Sequence, residues 1–154
     1  MYLMKERYKQ ISHLTWNKKS AICDRSIYED KIFAKQLYKS GIMNKFEYIT
    51  YKDTFKTFSK TMKHPDFIVY LKVTPEIALK RIKERSRGCE SAITIEFLQN
   101  LNKYYEKIIP KISKKIPILI IDYNDYKATE KDFDEIFKII DIKLKEKKIL
   151  YYNN

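Results

Sequence analysis

Two short apolar runs restrict the folds open to this chain more than any other feature: Phe67 to Val73 (FIVYLKV) and Ile116 to Ile121 (IPILII). Near-continuous apolar runs of strand length suit a parallel sheet, whose two faces are both covered by helices. The first run follows Pro65-Asp66 and the second ends at Asp122. A briefer strand candidate, Ser20 to Cys23, ends at Asp24. Helical patterns separate these strands. Ile27 to Ser40 closes at Gly41, a natural helix stop. Lys45 to Met62 places Phe46, Ile49, Phe55, Phe58 and Met62 at roughly helical spacing. Thr74-Pro75-Glu76 supplies a cap, a first-turn proline and a dipole-complementing acid for a helix to about Arg85. Thr94 opens another helix, with Leu98, Leu101 and Tyr105 on one face, toward Pro110; Glu130 to Lys147 is the last, with Phe133, Ile136, Phe137, Ile140 and Leu144 as its stripe. The alternation predicts one α/β domain over residues 1–154 with a parallel sheet. Ligands of such sheets bind beyond the carboxyl ends of the strands.

Glycine is informative by its scarcity. The 154 residues contain only Gly41 and Gly88. A GxxxxGK[ST] phosphate loop needs two glycines five positions apart so that backbone N–H groups can surround phosphate, and a GxGxxG fingerprint needs three. Neither motif is present. No apolar run approaches the ~20 residues that cross a bilayer, and residues 1–20 have no apolar block of a secretory signal. Cys23, Cys89, His13 and His64 lack a zinc-ligand spacing. These features predict a soluble cytoplasmic protein, with no membrane partner.

Charge narrows the field further. The net charge is +12, from 32 basic and 20 acidic residues. A positive field of that size attracts nucleic acid or anionic membranes. A chain dominated by Lys, Ile, Tyr and Asn, with AT-rich codons, also gathers surface lysine from base composition alone. A nucleic-acid module would interleave basic residues with exposed aromatics. The thirteen tyrosines fall mostly at helix-core spacing, so no nucleic-acid partner is expected. Arginine is more discriminating. The chain has Arg7, Arg25, Arg81, Arg85 and Arg87, three of them within seven positions. Guanidinium forks grip phosphate oxygens in pairs where lysine offers a point charge.

Two constellations carry chemistry. Asp24-Arg25-Ser26-Ile27-Tyr28-Glu29-Asp30 leaves a strand and enters a helix. Its acid can hold a hydrated magnesium ion and its arginine can neutralise a transferring phosphoryl group; the plainer alternative is a helix cap with an incidental arginine. In Arg81-Ile82-Lys83-Glu84-Arg85-Ser86-Arg87-Gly88-Cys89-Glu90, Arg81 and Arg85 share a helix face before the chain turns into a loop. This is either an anion-binding lid or a solvated basic helix end.

DRSIYEDKIFAK (Asp24 to Lys35), PDFIVYLKVTPEIALKRIKERSR (Pro65 to Arg87) and PILIID (Pro117 to Asp122), in this order, resemble the deoxynucleoside kinase family, especially its deoxyadenosine/deoxyguanosine/deoxycytidine kinase branch. The likeness covers about residues 21–140. It implies a three-layer parallel-sheet nucleoside-kinase fold of the P-loop NTPase type. It also implies ATP-dependent phosphorylation of a deoxynucleoside 5′-hydroxyl, with Mg2+ as cofactor, in a homodimer whose contact lies in the region of Ile27 to Ser40. By motif position, Asp24 would sit near the magnesium, and Arg25 would contact the 5′-oxygen and act in catalysis. Arg81, Arg85 and Arg87 would close over ATP phosphates, Arg85 and Arg87 catalytically. Asp125 and Tyr126 would lie against the adenine, and Glu90 would approach the sugar 3′-hydroxyl. Asp30 would engage an amino-bearing base edge, oriented by Arg7; branches favouring thymidine have a small residue there.

The family's phosphate loop, catalytic-base glutamate and base-pairing glutamine lie upstream of the matched segments, with Met1 near the glutamine position. Its strand order, 2-3-1-4-5, puts the first strand at the centre of the sheet, so the strands here must pair anew or leave edges exposed. These 154 residues alone are therefore expected to show no phosphoryl transfer. The alternatives are a catalytically inactive remnant that binds an intact kinase subunit, and a basic nucleic-acid-binding module.

Overall fold

The computed structural model describes residues 1–85, 87–126 and 129–152. Ser86 and the side chains of Cys89 and Leu144, named above, lie outside the described residues. The elements run α1 (Tyr2–Trp16), α2 (Ile27–Lys39), α3 (Lys45–Thr61), β1 (Ile68–Lys72), α4 (Pro75–Arg85), a single 3-10 turn (Gly88–Glu90), α5 (Ile95–Ile112), β2 (Ile118–Asp122) and α6 (Glu130–Tyr152).

Local signals set most boundaries. Gly41, just past the Ser40 cap of α2, has φ +77, a conformation that glycine adopts without steric cost. Asn44 and Glu47 form a reciprocal capping box at the start of α3, with bonds of 3.0 and 2.7 Å. Thr94 Oγ1 accepts from Phe97 N at 3.2 Å to open α5. The Thr74-Pro75 signal holds as well: Ala78 N reaches Thr74 O at 2.9 Å, the first bond of α4.

β1 and β2 pair in parallel from Ile68↔Ile118 to Lys72↔Asp122. Ser20 to Cys23 is not a strand: the segment is irregular, and Ile22 is 97% exposed. An extended segment with no ladder partner gains neither hydrogen bonds nor burial. Burial of both sheet faces is also incomplete, since Leu71 and Ile120 are 43% and 54% exposed. A two-stranded sheet, all that the described residues form, offers too little surface for helices to cover both faces.

The main core is helical. Met4, Ile27, Ala34, Tyr51, Phe55 and Met62 pack together where α1, α2 and α3 meet. Burying a side chain such as Ile27, wholly inaccessible here, contributes ~1.5–3 kcal/mol. The expected stripes of α3 and α6 are partly corrected: Phe46, Ile49, Phe133 and Phe137 are exposed, while Tyr51 is in the core. On the other side of α2, Gln36 Nε2 donates to Phe97 O of α5 at 3.0 Å. Tyr70 of β1 stacks on Tyr105 of α5 at 5.6 Å. α2 is thus clamped between a helical core and the α5–sheet layer, which fixes the motif at its start.

Candidate functional site

Asp24 and Arg25 occupy a sharp exposed turn. Arg25 has φ +67, a left-handed conformation that costs a β-carbon-bearing residue ~1–2 kcal/mol. Ser26, in extended conformation, caps α2, and buried Ile27 follows. The Arg25 guanidinium lies over the Phe33 ring, 5.2 Å from its centroid. The turn therefore holds Asp24 and Arg25 outward while burial of Ile27 anchors the chain behind them. Asp24 makes no ion pair among the described residues.

One turn into α2, Asp30 meets Arg7 of α1. Arg7 Nη1 donates to Asp30 Oδ1, and both side chains are largely removed from solvent. Among the described residues, Asp30 Oδ2 is buried without a hydrogen-bond partner, as is the Tyr51 hydroxyl. Burial pushes the Tyr51 phenol above its ordinary range, and the Asp30 charge adds to that shift. Glu29 points toward α5, where Tyr105 donates to its Oε1 at 3.5 Å. Burial raises the Glu29 carboxyl above its usual pKa, against the lowering influence of Arg25, the Ser26 backbone and Arg7.

The arginine cluster divides. Arg81 Nη2 donates to the carbonyls of Tyr123, Asn124 and Tyr126 at 2.9, 3.0 and 2.7 Å, and its guanidinium covers the Tyr123 ring at 5.0 Å. Thr74 N also donates to Asn124 Oδ1 at 2.9 Å. Arg81 is thereby joined to the loop bearing Asp125 and Tyr126, at the carboxyl ends of both strands. Arg85 Nη2 donates to both oxygens of Glu90 at 2.6 and 2.7 Å. Arg87 is exposed and makes no ion pair among the described residues. Among the described residues, no hydrogen bond or ion pair connects the Asp24–Arg25 turn to the Arg85–Glu90 pair.

Three features went unread in the sequence. Helix α1 carries Met4, Tyr8 and Ile11 at a helical spacing that marks its inner face. Tyr51 lies four positions before Phe55 on the same pattern. Glu29 gave no local signal, because its burial comes from α5, far along the chain.

The comparisons with known proteins identify the class to which this parallel sheet, its acid–arginine turn and its arginine-rich helix end belong. A deoxynucleoside kinase family model matches residues 1–145, and the chain belongs to that family. It is 39% identical over 126 residues to a deoxyadenosine kinase of Dictyostelium discoideum, covering 82% of this chain and 51% of that one. To a deoxyadenosine/deoxycytidine kinase of Bacillus subtilis it is 33% identical over 149 residues, covering 91% and 68%. The structure of deoxyadenosine kinase from M. mycoides with bound dATP superposes at a TM-score of 0.74, with 28% identity over 91% of this chain and 71% of that one. The fold is accordingly that of the P-loop nucleoside kinases, represented in part. The chain spans about half the length of the two Dictyostelium kinases it is similar to, 51% and 46%.

Proposed function

We propose that these residues form the nucleoside-binding and lid portion of a deoxynucleoside kinase that transfers phosphate from ATP to the 5′-hydroxyl of deoxyadenosine, deoxyguanosine or deoxycytidine. The observation that carries this reading is the Arg7–Asp30 pair, in which one carboxylate oxygen is taken by the arginine and the other is buried and unpartnered. A buried acceptor without a donor costs free energy, and an amino-bearing base edge supplies the missing donor. Thymine presents a carbonyl oxygen, itself an acceptor, where cytosine has its amino group, with a methyl beside it, and leaves the carboxylate oxygen unpaired.

The remaining roles follow from position. Arg25, held outward by its turn, contacts the 5′-oxygen and neutralises charge developing there. Arg85 and Arg87 approach ATP phosphates, and Glu90 exchanges Arg85 for the sugar 3′-hydroxyl as the nucleoside binds. Arg81 orders the loop in which Asp125 and Tyr126 face the adenine. Magnesium needs only one or two protein carboxylates beside water and phosphate oxygens, so Asp24, exposed and without an ion pair among the described residues, fits as its protein ligand. When bound, the ion supplies neutralisation of phosphate charge.

The phosphate loop is not within these 154 residues. The test compares the chain alone with a chimera that joins a relative's phosphate-loop segment ahead of Met1. With ATP and magnesium, the chain alone shows no turnover, and the chimera phosphorylates deoxyadenosine, deoxyguanosine or deoxycytidine faster than thymidine. A folded chimera that acts on no deoxynucleoside, or on thymidine best, refutes the assignment.

A further inference from the structure

Arg85 and Glu90 cannot hold each other and their substrates at the same time. Arg85 Nη2 donates to both oxygens of Glu90, at 2.6 and 2.7 Å, so a single nitrogen occupies the whole edge of the carboxylate. The kinase reading sends Arg85 to an ATP phosphate and Glu90 to the sugar 3′-hydroxyl. We infer that this pair couples the two substrates: it withholds Arg85 from phosphate until a 3′-hydroxyl donates to Glu90. A nucleoside with that hydroxyl then raises the affinity for the phosphate donor, and one without it does not. The inference rests on the kinase reading for the identity of the two ligands.

Glu90 is the fixed member of the pair and Arg85 the movable one. The Glu90 side chain is 19% exposed and that of Arg85 48%. Glu90 closes the 3-10 turn Gly88–Glu90, its N–H donating to Arg87 O at 2.9 Å. Ser91 Oγ donates to Gly88 O at 2.9 Å, and Ile93 N to Glu90 O at 3.0 Å. Thr94 then caps α5. These local bonds tie the Glu90 backbone to the start of α5. Arg85 ends α4, whose preceding turn is pinned at the carboxyl ends of the strands by Arg81 and its three carbonyls. Rotation of the Arg85 side chain about its own bonds therefore parts the pair, with both helices left in place.

Competition supplies the coupling. A phosphate oxygen and a carboxylate seek the same guanidinium donors. While Glu90 holds Arg85, an approaching phosphate lacks that donor and meets a negative charge beside it. A hydroxyl that donates to Glu90 needs an acceptor position that Arg85 now faces, so it loosens the pair and frees the nitrogen. Linkage makes the effect mutual: phosphate on Arg85 raises nucleoside affinity by the factor by which the nucleoside raises phosphate affinity. The arginine is half-exposed, so the factor is modest, about fivefold. Arg87, exposed and without an ion pair among the described residues, is not withheld in this way.

The test has two arms, and both read binding. In the first, the 154-residue chain is titrated with tripolyphosphate and followed by NMR at the Arg85 Nε–H and the Gly88 amide. Glu90→Gln should tighten binding about fivefold. In an Arg85→Ala background the same substitution should leave the Gly88 titration unchanged. Glu84→Gln removes an equal charge from the adjacent position, where the acid faces Lys80 at 3.9 Å, and should alter binding less than twofold. Circular dichroism melting checks that each variant is folded. No gain from Glu90→Gln, an equal gain from Glu84→Gln, or a gain that survives Arg85→Ala overturns the inference. The second arm needs no substitution. It measures binding of the non-hydrolysable β,γ-imido analogue of ATP to the chimera, with saturating deoxyadenosine or 2′,3′-dideoxyadenosine. Deoxyadenosine should give the tighter complex by about fivefold, and the difference should vanish in Glu90→Gln. Equal affinities with the two nucleosides overturn the coupling. A chimera that binds both substrates, with that difference, yet transfers no phosphate refutes the kinase reading and leaves the coupling standing.

Discussion

Arg7 of α1 and Asp30 of α2, 23 positions apart, form a largely buried ion pair that fastens the first helix to the motif-bearing one. The pair satisfies only one oxygen of the carboxylate, and the second is closed off from solvent with no donor among the described residues.

Breaking the pair from either side has different consequences. Arg7→Ala leaves a buried unpaired carboxylate and should cost about 3 kcal/mol of stability in urea unfolding. The Arg7→Ala/Asp30→Ala double variant should be less unstable than the two single losses added together, by about 1–3 kcal/mol. In the active chimera, Asp30→Ala should shift preference toward thymidine, read as the ratio of kcat/KM values.

The lid arginines should act on rate. In the same chimera, Arg85→Ala and Arg87→Ala each remove one preorganised donor, a loss of about 3 kcal/mol or roughly 100-fold in kcat. Steady-state kinetics at saturating deoxyadenosine and ATP reads the effect. A change below twofold for both would return these residues to a solvated helix end.

Glu29 should make stability depend on pH. Its carboxyl titrates above the ordinary 4.5, chiefly because it is buried. The folded state then holds the proton more tightly than the unfolded chain, so stability falls as pH rises from that ordinary value through the raised one. Glu29→Gln cannot ionise, and Gln can still accept from Tyr105. The variant should be more stable than the parent at pH 7, with the difference closing below the ordinary carboxylate value. Urea melts across this pH range measure it.

Arg81 should prove to be an organiser of the loop beyond β2. Arg81→Lys replaces one nitrogen shared by three carbonyls with a flexible ammonium, and stability should drop by about 1–2 kcal/mol. Amide exchange at Tyr123 and Asn124 should quicken, while the β1 amides keep their protection. Unchanged exchange at Tyr123 would separate Arg81 from the order of this loop.

Several of these features are legible in the amino-acid sequence. Phe67 to Val73 and Ile116 to Ile121 have the composition of buried strands, and both supply one, because a short apolar run carries its preference locally. Gly41, Thr74 and Thr94 likewise mark helix ends through bonds within a few residues. The motif residues Asp24, Arg25 and Asp30, and the cluster from Arg81 to Arg87, stand out by type and spacing. Ser20 to Cys23 has the look of a strand without being one, because its strand character depends on a neighbour that the described residues do not provide.

The sequence by itself determined where most helices begin and roughly where both strands lie, that no Walker-type phosphate loop is present, and which residue types can meet phosphate. Those properties are set by side-chain chemistry and short-range bonding. Only the tertiary structure decided that Arg7 takes Asp30, that Arg81 serves the loop after β2 and that Arg85 rests on Glu90. Each of these depends on how separate elements pack, and the free energy of burial that fixes their arrangement comes from contacts between residues distant along the chain.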